Sequence, residues 1–189
     1  EEFVSSYEAA ASGQPLRLAA LPVQYADYAQ WQRERLQGDR VQEHLDYWCR
    51  QLAGIPAVHG LPLDRARPAQ QQFGGARLSR QADAATKQRI DALARSENAT
   101  PFMLLQAVFA LLLGRWSGED DIVMGTPVAG RVHRDLERLV GFFVNTLVLR
   151  TDLSGDPSFR GLLAQSRTMA LGAQAHQELP FEMLVDALQ

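Results

Sequence analysis

A single apolar helix constrains the fold of this chain more than any other feature of its sequence. Thr100 followed by Pro101 is a typical helix start, because proline at the first helical position loses a hydrogen bond that would be unmade anyway. The residues that follow, to about Trp116, are apolar nearly all round, so we expect this helix to be buried on several sides. Its longest apolar run, Phe102 to Leu113, falls well short of the roughly 18 to 20 apolar residues that span a bilayer. The pattern therefore predicts a helix in a protein core.

Strands and helices are predicted to alternate along the chain, which is typical of an α/β fold. Helices are predicted up to residue 12, through 25–32 and 45–52, after a cap at Asp83, through 101–116 and 159–169, and after HQELPFE. Strands are predicted at residues 75–81, 121–126 and 140–150. Both ends of the chain stop within a helical period, so we expect it to be a piece of a longer polypeptide.

The charge balance and the cysteine count narrow the possible partners. The 19 basic and 22 acidic residues give a net charge of -3, which lacks the positive field that nucleic-acid binders use. The same balance does not suggest a membrane surface as a partner. Cys49 is the only cysteine, so no intrachain disulfide or CxxC site can form, and a reducing cytoplasm fits best. The histidines are scattered without a partner four residues on, which argues against a metal site.

An asparagine stands inside the most apolar of the predicted strands, VGFFVNTLVLR at residues 140–150. The amide of Asn145 must be hydrogen-bonded wherever it is buried, because an unpaired buried amide costs roughly 1 to 3 kcal/mol. Two explanations fit this residue: its amide bonds backbone groups at an irregularity of the strand, or it bonds a substrate. The residues alone favour the backbone explanation.

Two other clusters have a structural and a functional interpretation. Tyr25, Tyr28 and Trp31 share one helical face and could stack on a ligand, although such a face more often packs in a core. HQELPFE, at residues 176–182, groups His176 with an amide and two carboxylates. No second acid or base stands nearby in sequence, so a carboxylate at the start of the last helix is favoured over catalysis by His176.

Six short patterns occur together in one order along the chain. They are YADYAQWQ at 25–32, YWCRQLAG at 47–54, LPLDRARP at 61–68, GTPVAGR at 125–131, VGFFVNTLVLR at 140–150 and HQELPFE at 176–182. Each pattern alone is weak, but their combination and spacing are specific. Through these six patterns the chain resembles the condensation domain of nonribosomal peptide synthetases, and the resemblance runs from one end of the chain to the other.

This resemblance implies an α/β fold of the chloramphenicol acetyltransferase type, in which two lobes enclose a tunnel. On that basis we expect residues 1–66 to be the C-terminal part of the first lobe, 67–76 the crossover linker, and 77–189 most of the second lobe. The resemblance also implies the reaction. Two carrier proteins deliver thioesters on phosphopantetheine arms, the acceptor amine attacks the donor thioester, and an amide bond forms. No cofactor is expected to bind the chain directly, and the remaining part of the condensation domain and the adjacent synthetase domains are expected as further partners.

The resemblance further implies which residues act. The family's HHxxxDG motif, whose second histidine is expected to orient or deprotonate the amine, is absent here because no two histidines are adjacent. We therefore expect no catalytic residue within the chain and no activity of the chain alone. Asn145, Gly141 and Phe143 are expected to line the substrate tunnel. Arg131 and Arg134 are weaker candidates for contacts with an acidic carrier protein or its phosphate.

Two alternatives to an amide-forming enzyme stay open. The first is a module that docks a carrier protein and does no chemistry, and the second is a related stand-alone acyltransferase that uses coenzyme A. Neighbouring sequence separates them. An intact HHxxxDG motif just upstream supports the enzyme, and flanking carrier or adenylation sequence argues against the stand-alone acyltransferase.

Overall fold

The computed structural model of the chain describes residues 2–66, 68–70 and 72–188. Within these ranges the elements follow in the order α1 (Glu2–Ser12), α2 (Tyr25–Arg35), α3 (Asp39–Gln51), α4 (Ala84–Ser96), α5 (Pro101–Ser117), β1 (Asp121–Val128), β2 (Asn145–Asp152), α6 (Phe159–Ala175) and α7 (Phe181–Leu188). A short 3-10 helix, Arg134–Leu136, lies between the strands. The mixture of helices and strands agrees with the predicted α/β class.

The two strands form an antiparallel ladder in which Val128 of β1 lies opposite Asn145 of β2. Side chains alternate between the faces of a strand, so Asn145 shares its face with the buried Leu147 and Leu149. Helix α6 packs on β2. Asn145 therefore stands at the start of β2, at the end of a buried row of side chains.

Two of the three strand predictions need correction. Residues 75–81 form no strand, because Leu78, the one large apolar side chain among them, stays 79% exposed and does not anchor the segment to the sheet. The strand predicted at 140–150 begins only at Asn145. The apolar residues before it form a loop in which Val140 and Phe142 are 82% and 77% exposed. The strand predicted at 121–126 is confirmed and extends to Val128.

Two clusters of buried side chains hold the helices against one another and against the sheet. The first joins α3, β2, α6 and the region of α7, and contains Trp48, Leu52, Leu147, Leu149, Met169, Ala173, Leu179 and Leu184. The second joins α4, α5 and α6, and contains Ala94, Met103, Leu104, Leu163 and Ala170. Burying one leucine-sized side chain contributes about 1.5–3 kcal/mol. Packing against β2 and α6 therefore provides a large part of the stabilisation of helix α3.

The expected crossover linker has no helix or strand among its described residues. Residues 67 and 71 lie outside the described part of the chain, and the others between 68 and 76 are exposed. The assignment of 1–66, 67–76 and 77–189 to parts of two lobes stays a prediction.

Helices α4 and α5 begin where the sequence predicts. The Asp83 carboxylate accepts a hydrogen bond from the Thr86 N–H at 2.6 Å, and the Thr100 hydroxyl accepts one from the Met103 N–H at 3.3 Å. Both bonds satisfy N–H groups that lack a partner inside the helix. Within the described ranges no single helix is long and apolar enough to cross a membrane, and α4 with α5 meets that test only as a pair bent by 101°.

The prediction that α5 is buried on several sides is wrong. On its buried face, Gln106 donates from Nε2 to the Thr151 hydroxyl at 2.8 Å, and Ser166 Oγ lies 2.6 Å from Gln106 Oε1. The opposite face is open, because α4 and α6 pack on one side of the helix and the described sheet ends at β1. The exposed residues on it include Phe102, Leu105, Val108, Phe109, Leu112 and Trp116.

Candidate functional site

A narrow slot opens beside Asn145, at the meeting point of α2, the loop before β2 and the segment after α6. We call it the Asn145 slot, and its walls include Trp31, Arg35, Phe143, Asn145 and Glu178. Its cavity volume is about 30 Å³. A water molecule needs roughly 10–15 Å³ of such volume, so the slot has room for a few waters and not for a pantetheine arm.

The Asn145 amide is fully engaged with the backbone of residues 177–181. Its Nδ2 donates to the carbonyl oxygens of Gln177 and Leu179 at 2.9 and 2.7 Å. Its Oδ1 accepts from the Phe181 N–H at 3.0 Å. Asparagine provides two N–H donors and an acceptor on one planar group, which is what this arrangement of two carbonyls and one amide requires. The backbone explanation for Asn145 is therefore the one that the structure shows.

Glu178 lies between the two carbonyls that Asn145 binds, and Arg35 of α2 holds its side chain. Arg35 Nε donates to one carboxylate oxygen at 2.8 Å and Arg35 Nη2 to the other at 3.2 Å. The hydrogen bonds from Arg35 hold the pKa of the Glu178 carboxyl below its usual value, although partial burial opposes this shift. Arg35 also lies over the Trp31 ring, 5.1 Å from its centre. The ion pair thus joins two walls of the Asn145 slot.

Helix α3 fixes the start of the same segment through His176. His44 Nδ1 lies 2.9 Å from His176 Nδ1, so one ring donates and the other accepts. The Tyr47 ring stacks on His176 at 4.0 Å, and Trp48 Nε1 donates to the His176 carbonyl at 3.2 Å. Burial lowers the pKa of His176, and the nearby His44 lowers it further. The fold therefore favours the neutral imidazole at this position.

The aromatic face of α2 packs on the loop before β2. The rings of Tyr25 and Tyr28 lie 5.2 and 4.8 Å from the Phe143 ring, within the range of favourable aromatic pairs. Tyr25 Oη donates to the Phe142 carbonyl at 2.9 Å. The rings of Tyr28 and Trp31 are 5.9 Å apart. This aromatic face packs against other residues of the chain, and core packing is the interpretation that the sequence alone favours.

Two glycines allow this loop to lie close to its neighbours. A Cβ atom at Gly141 would overlap the Tyr25 ring, so only glycine fits there without displacement. Gly130 has a φ of 63° and its added Cβ would overlap the Phe143 carbonyl oxygen. The close approach that Gly141 makes in this structure is thus to α2.

The two arginines predicted to contact a carrier protein have different surroundings. The Arg131 guanidinium lies over the Phe143 ring, 4.1 Å from its centre, and donates to the Leu136 carbonyl. Arg134 is exposed at the start of the 3-10 helix. Arg134 is therefore accessible to a partner, whereas the contacts of Arg131 are internal. A carrier contact by either residue stays a prediction.

The structure brings together part of the predicted tunnel wall. Asn145 and Phe143 both border the slot, while Gly141 contacts Tyr25. Their role in a substrate tunnel stays a prediction. In the described part of the chain, no three side chains of the His, Cys, Asp and Glu types converge in a way that could hold a metal ion.

Two contacts that shape the slot have no signal in the sequence. Arg35 and Glu178 are 143 residues apart, and His44 and His176 are 132 residues apart. HQELPFE contains His176 and Glu178, and YADYAQWQ ends three residues before Arg35, but nothing in the spacing of either pattern pairs these side chains.

Comparison with known protein families shows which family the chain belongs to. A family model described as "Condensation domain" matches residues 1–189. The chain belongs to the condensation domain family. One of the linear gramicidin synthase proteins of Brevibacillus parabrevis is 51% identical over 189 residues, which is 100% of this chain and 2% of that protein. This condensation domain chain therefore spans a small fraction of the length of that synthase.

Solved structures place the condensation domain chain in the predicted fold class. The X-domain of teicoplanin biosynthesis, solved in complex with OxyB, matches with a TM-score of 0.89 and 34% identity over 97% of this chain and 42% of that one. The first condensation domain of the CDA synthetase matches with a TM-score of 0.75 and 20% identity over 98% of this chain and 40% of that one. The predicted chloramphenicol acetyltransferase-like α/β fold is confirmed by these similarities.

Proposed function

We propose that this chain is part of a domain that joins two carrier-bound substrates through an amide bond. The donor is an acyl or peptidyl thioester and the acceptor an aminoacyl thioester, each on the phosphopantetheine arm of a carrier protein. The acceptor amine attacks the donor carbonyl, a C–N bond forms, the C–S bond breaks, and the donor thiol leaves with a proton. The observation that carries this proposal is the family match over residues 1–189, with 51% identity to a linear gramicidin synthase protein.

The contribution of this chain is structural and its proton-transfer group lies elsewhere. No two adjacent histidines occur in the 189 residues, so the HHxxxDG motif that the reaction requires is not among them. We therefore expect the chain alone to be inactive. Holding both thioesters close together accelerates their reaction only where the full channel is assembled.

The single cysteine, Cys49, fits function in a reducing cytoplasm beside the adjacent synthetase domains.

The predicted channel residues have different parts in this proposal. Asn145 shapes the wall by holding residues 177–181, and Phe143 supports the same wall from the α2 side. Gly141 allows α2 to approach. Arg134, which is exposed, is the better candidate for a carrier phosphate, and Arg131 supports the loop that presents it.

Incubation of the full-length protein with loaded carriers tests the proposal. The donor carrier holds an acyl-phosphopantetheine, the acceptor carrier an aminoacyl-phosphopantetheine, and mass spectrometry of the acceptor carrier detects the amide product. We expect product with the full-length protein and none with the 189-residue chain alone. Binding of both carriers by the full-length protein, with no product on the acceptor, would refute the amide-forming function.

A docking module is the second candidate function. The specific observation in its favour is the similarity to an X-domain whose solved structure is a complex with another protein, OxyB. On this alternative the chain recruits a partner and leaves the thioesters unchanged. The same assay separates the two, since docking gives a stable complex without product. Product formed from a coenzyme A thioester without any carrier would instead identify a stand-alone acyltransferase.

A further inference from the structure

The segment from His176 to Phe181 is held from three different elements. Asn145 of β2 binds its backbone at three points, through residues 177, 179 and 181. Helix α3 holds the side chain and the carbonyl of His176. Helix α2 holds Glu178 through Arg35. Contacts from three elements on six consecutive residues fix one conformation of a segment that connects two helices.

Arg35 has a central position among these contacts. Its guanidinium binds both oxygens of Glu178, whose own residue lies directly between Gln177 and Leu179. Those two neighbours supply the carbonyls that bind Asn145 Nδ2. The side chains of Arg35 and Glu178 are 33% and 25% exposed, so water competes only partly with the ion pair. Glu178 is thus bound by Arg35 through its side chain and is linked to Asn145 through the carbonyls of its two neighbours.

We propose that Arg35 is a positioning residue: its paired hydrogen bonds to Glu178 fix the carbonyls on either side and so hold the Asn145 amide in place at the slot. The fixed fork of arginine suits a carboxylate bound through both oxygens, which lysine cannot reproduce. The consequence for amide formation rests on the function proposed above. The positioning itself does not, because it can be measured in the protein without substrate.

Hydrogen exchange at the Phe181 N–H measures this positioning directly, because that group donates to Asn145 Oδ1. In Arg35→Met we expect the Phe181 amide to exchange about tenfold faster or more, since the bond opens locally more often. Arg33→Met is the matched control, because Arg33 lies on the exposed side of the same helix and donates to the Ala29 carbonyl. Glu178→Gln, which keeps the shape and removes the charge, should behave like Arg35→Met. Unchanged exchange in a folded Arg35→Met or Glu178→Gln protein would overturn the proposal.

Carrier-dependent amide formation by the full-length protein supplies the second measurement. A misplacement of about 1 Å caused by a change far from the chemistry can cost about a hundredfold in rate, so we expect Arg35→Met to lower kcat by about ten- to a hundredfold and to change KM less than about twofold. The exchanged pair Arg35→Glu with Glu178→Arg should recover part of this loss. Faster Phe181 exchange with normal kcat would overturn the catalytic consequence. Absence of product with the wild-type protein refutes the proposed function, and Phe181 exchange alone then decides whether Arg35 positions the segment.

Discussion

Replacement of Asn145 tests how much its hydrogen bonds contribute to the free energy of unfolding. Asn145→Ala removes two donated bonds, to Gln177 and Leu179, and two accepted bonds, from the N–H groups of Phe181 and Thr146. Each bond contributes about 0.5–1.5 kcal/mol, and Asn145 is only partly buried, so we expect a loss of about 2–3 kcal/mol in the free energy of unfolding. Urea unfolding followed by tryptophan fluorescence measures this loss, because Trp48 is 2% exposed and becomes solvated on unfolding.

Asn145→Asp sharpens the test, because it keeps the acceptor for Phe181 and replaces the donor with a second oxygen. An ionised carboxylate would face the carbonyl oxygens of Gln177 and Leu179, so at neutral pH this variant should be at least as unstable as Asn145→Ala. Carbonyl oxygens beside a carboxylate disfavour its charged form, so the penalty relative to Asn145→Ala should shrink as the pH falls and the carboxylate takes up a proton. Thr146→Ala, which changes the opposite face of β2, is the control. A loss below about 0.5 kcal/mol for Asn145→Ala would refute the reasoning, since that is the usual effect of a surface substitution.

Three further perturbations test other parts of the structure. Gly141→Ala should lower the free energy of unfolding by about 1–3 kcal/mol through overlap with the Tyr25 ring, whereas Gly74→Ala, with open space around it, should not, as thermal melting would show. Gln106→Leu leaves two buried hydroxyls without their amide partner and should cost about 1–3 kcal/mol in urea unfolding, and a neutral result would contradict that network. Because the pKa of His176 is lowered in the fold, the unfolded chain binds the proton more tightly, and stability should fall as the pH drops below 6.5. His176→Gln should flatten that fall, and an unchanged pH profile would exclude His176 as its source.

Local chemistry is sufficient to predict where α4 and α5 begin. Asp83 and Thr100 accept the hydrogen bonds expected of capping residues, because such bonds depend on groups two or three residues away. The chemistry of the amide also predicts that the partners of Asn145 lie in the backbone, although it does not indicate that they belong to residues 177–181. A buried amide needs several partners at fixed positions, and the backbone supplies them most readily.

Predictions that depend on distant neighbours are less accurate. The apolar pattern of α5 gives no information on which neighbours cover it, so it predicts burial on several sides for a helix that has an open face. The apolar run before Asn145 predicts a strand, although Gly141 and the Tyr25 ring make it a loop against α2. Arg35 and Glu178 meet only because the end of α2 lies beside the segment that follows α6. The spacing of residues in the sequence does not indicate that the side chains of Arg35 and Glu178 are in contact.

The unpaired side of β1 has a consequence for the synthesis of this protein. In the described part of the chain β1 pairs with β2 alone, and an apolar cleft lined by Phe102, Leu105 and Phe109 of α5 lies beside the two strands. A strand edge of this kind beside apolar side chains readily recruits another strand. A polypeptide that leaves the ribosome with this surface uncovered is a target for chaperones, and its yield depends on how soon the surface is covered.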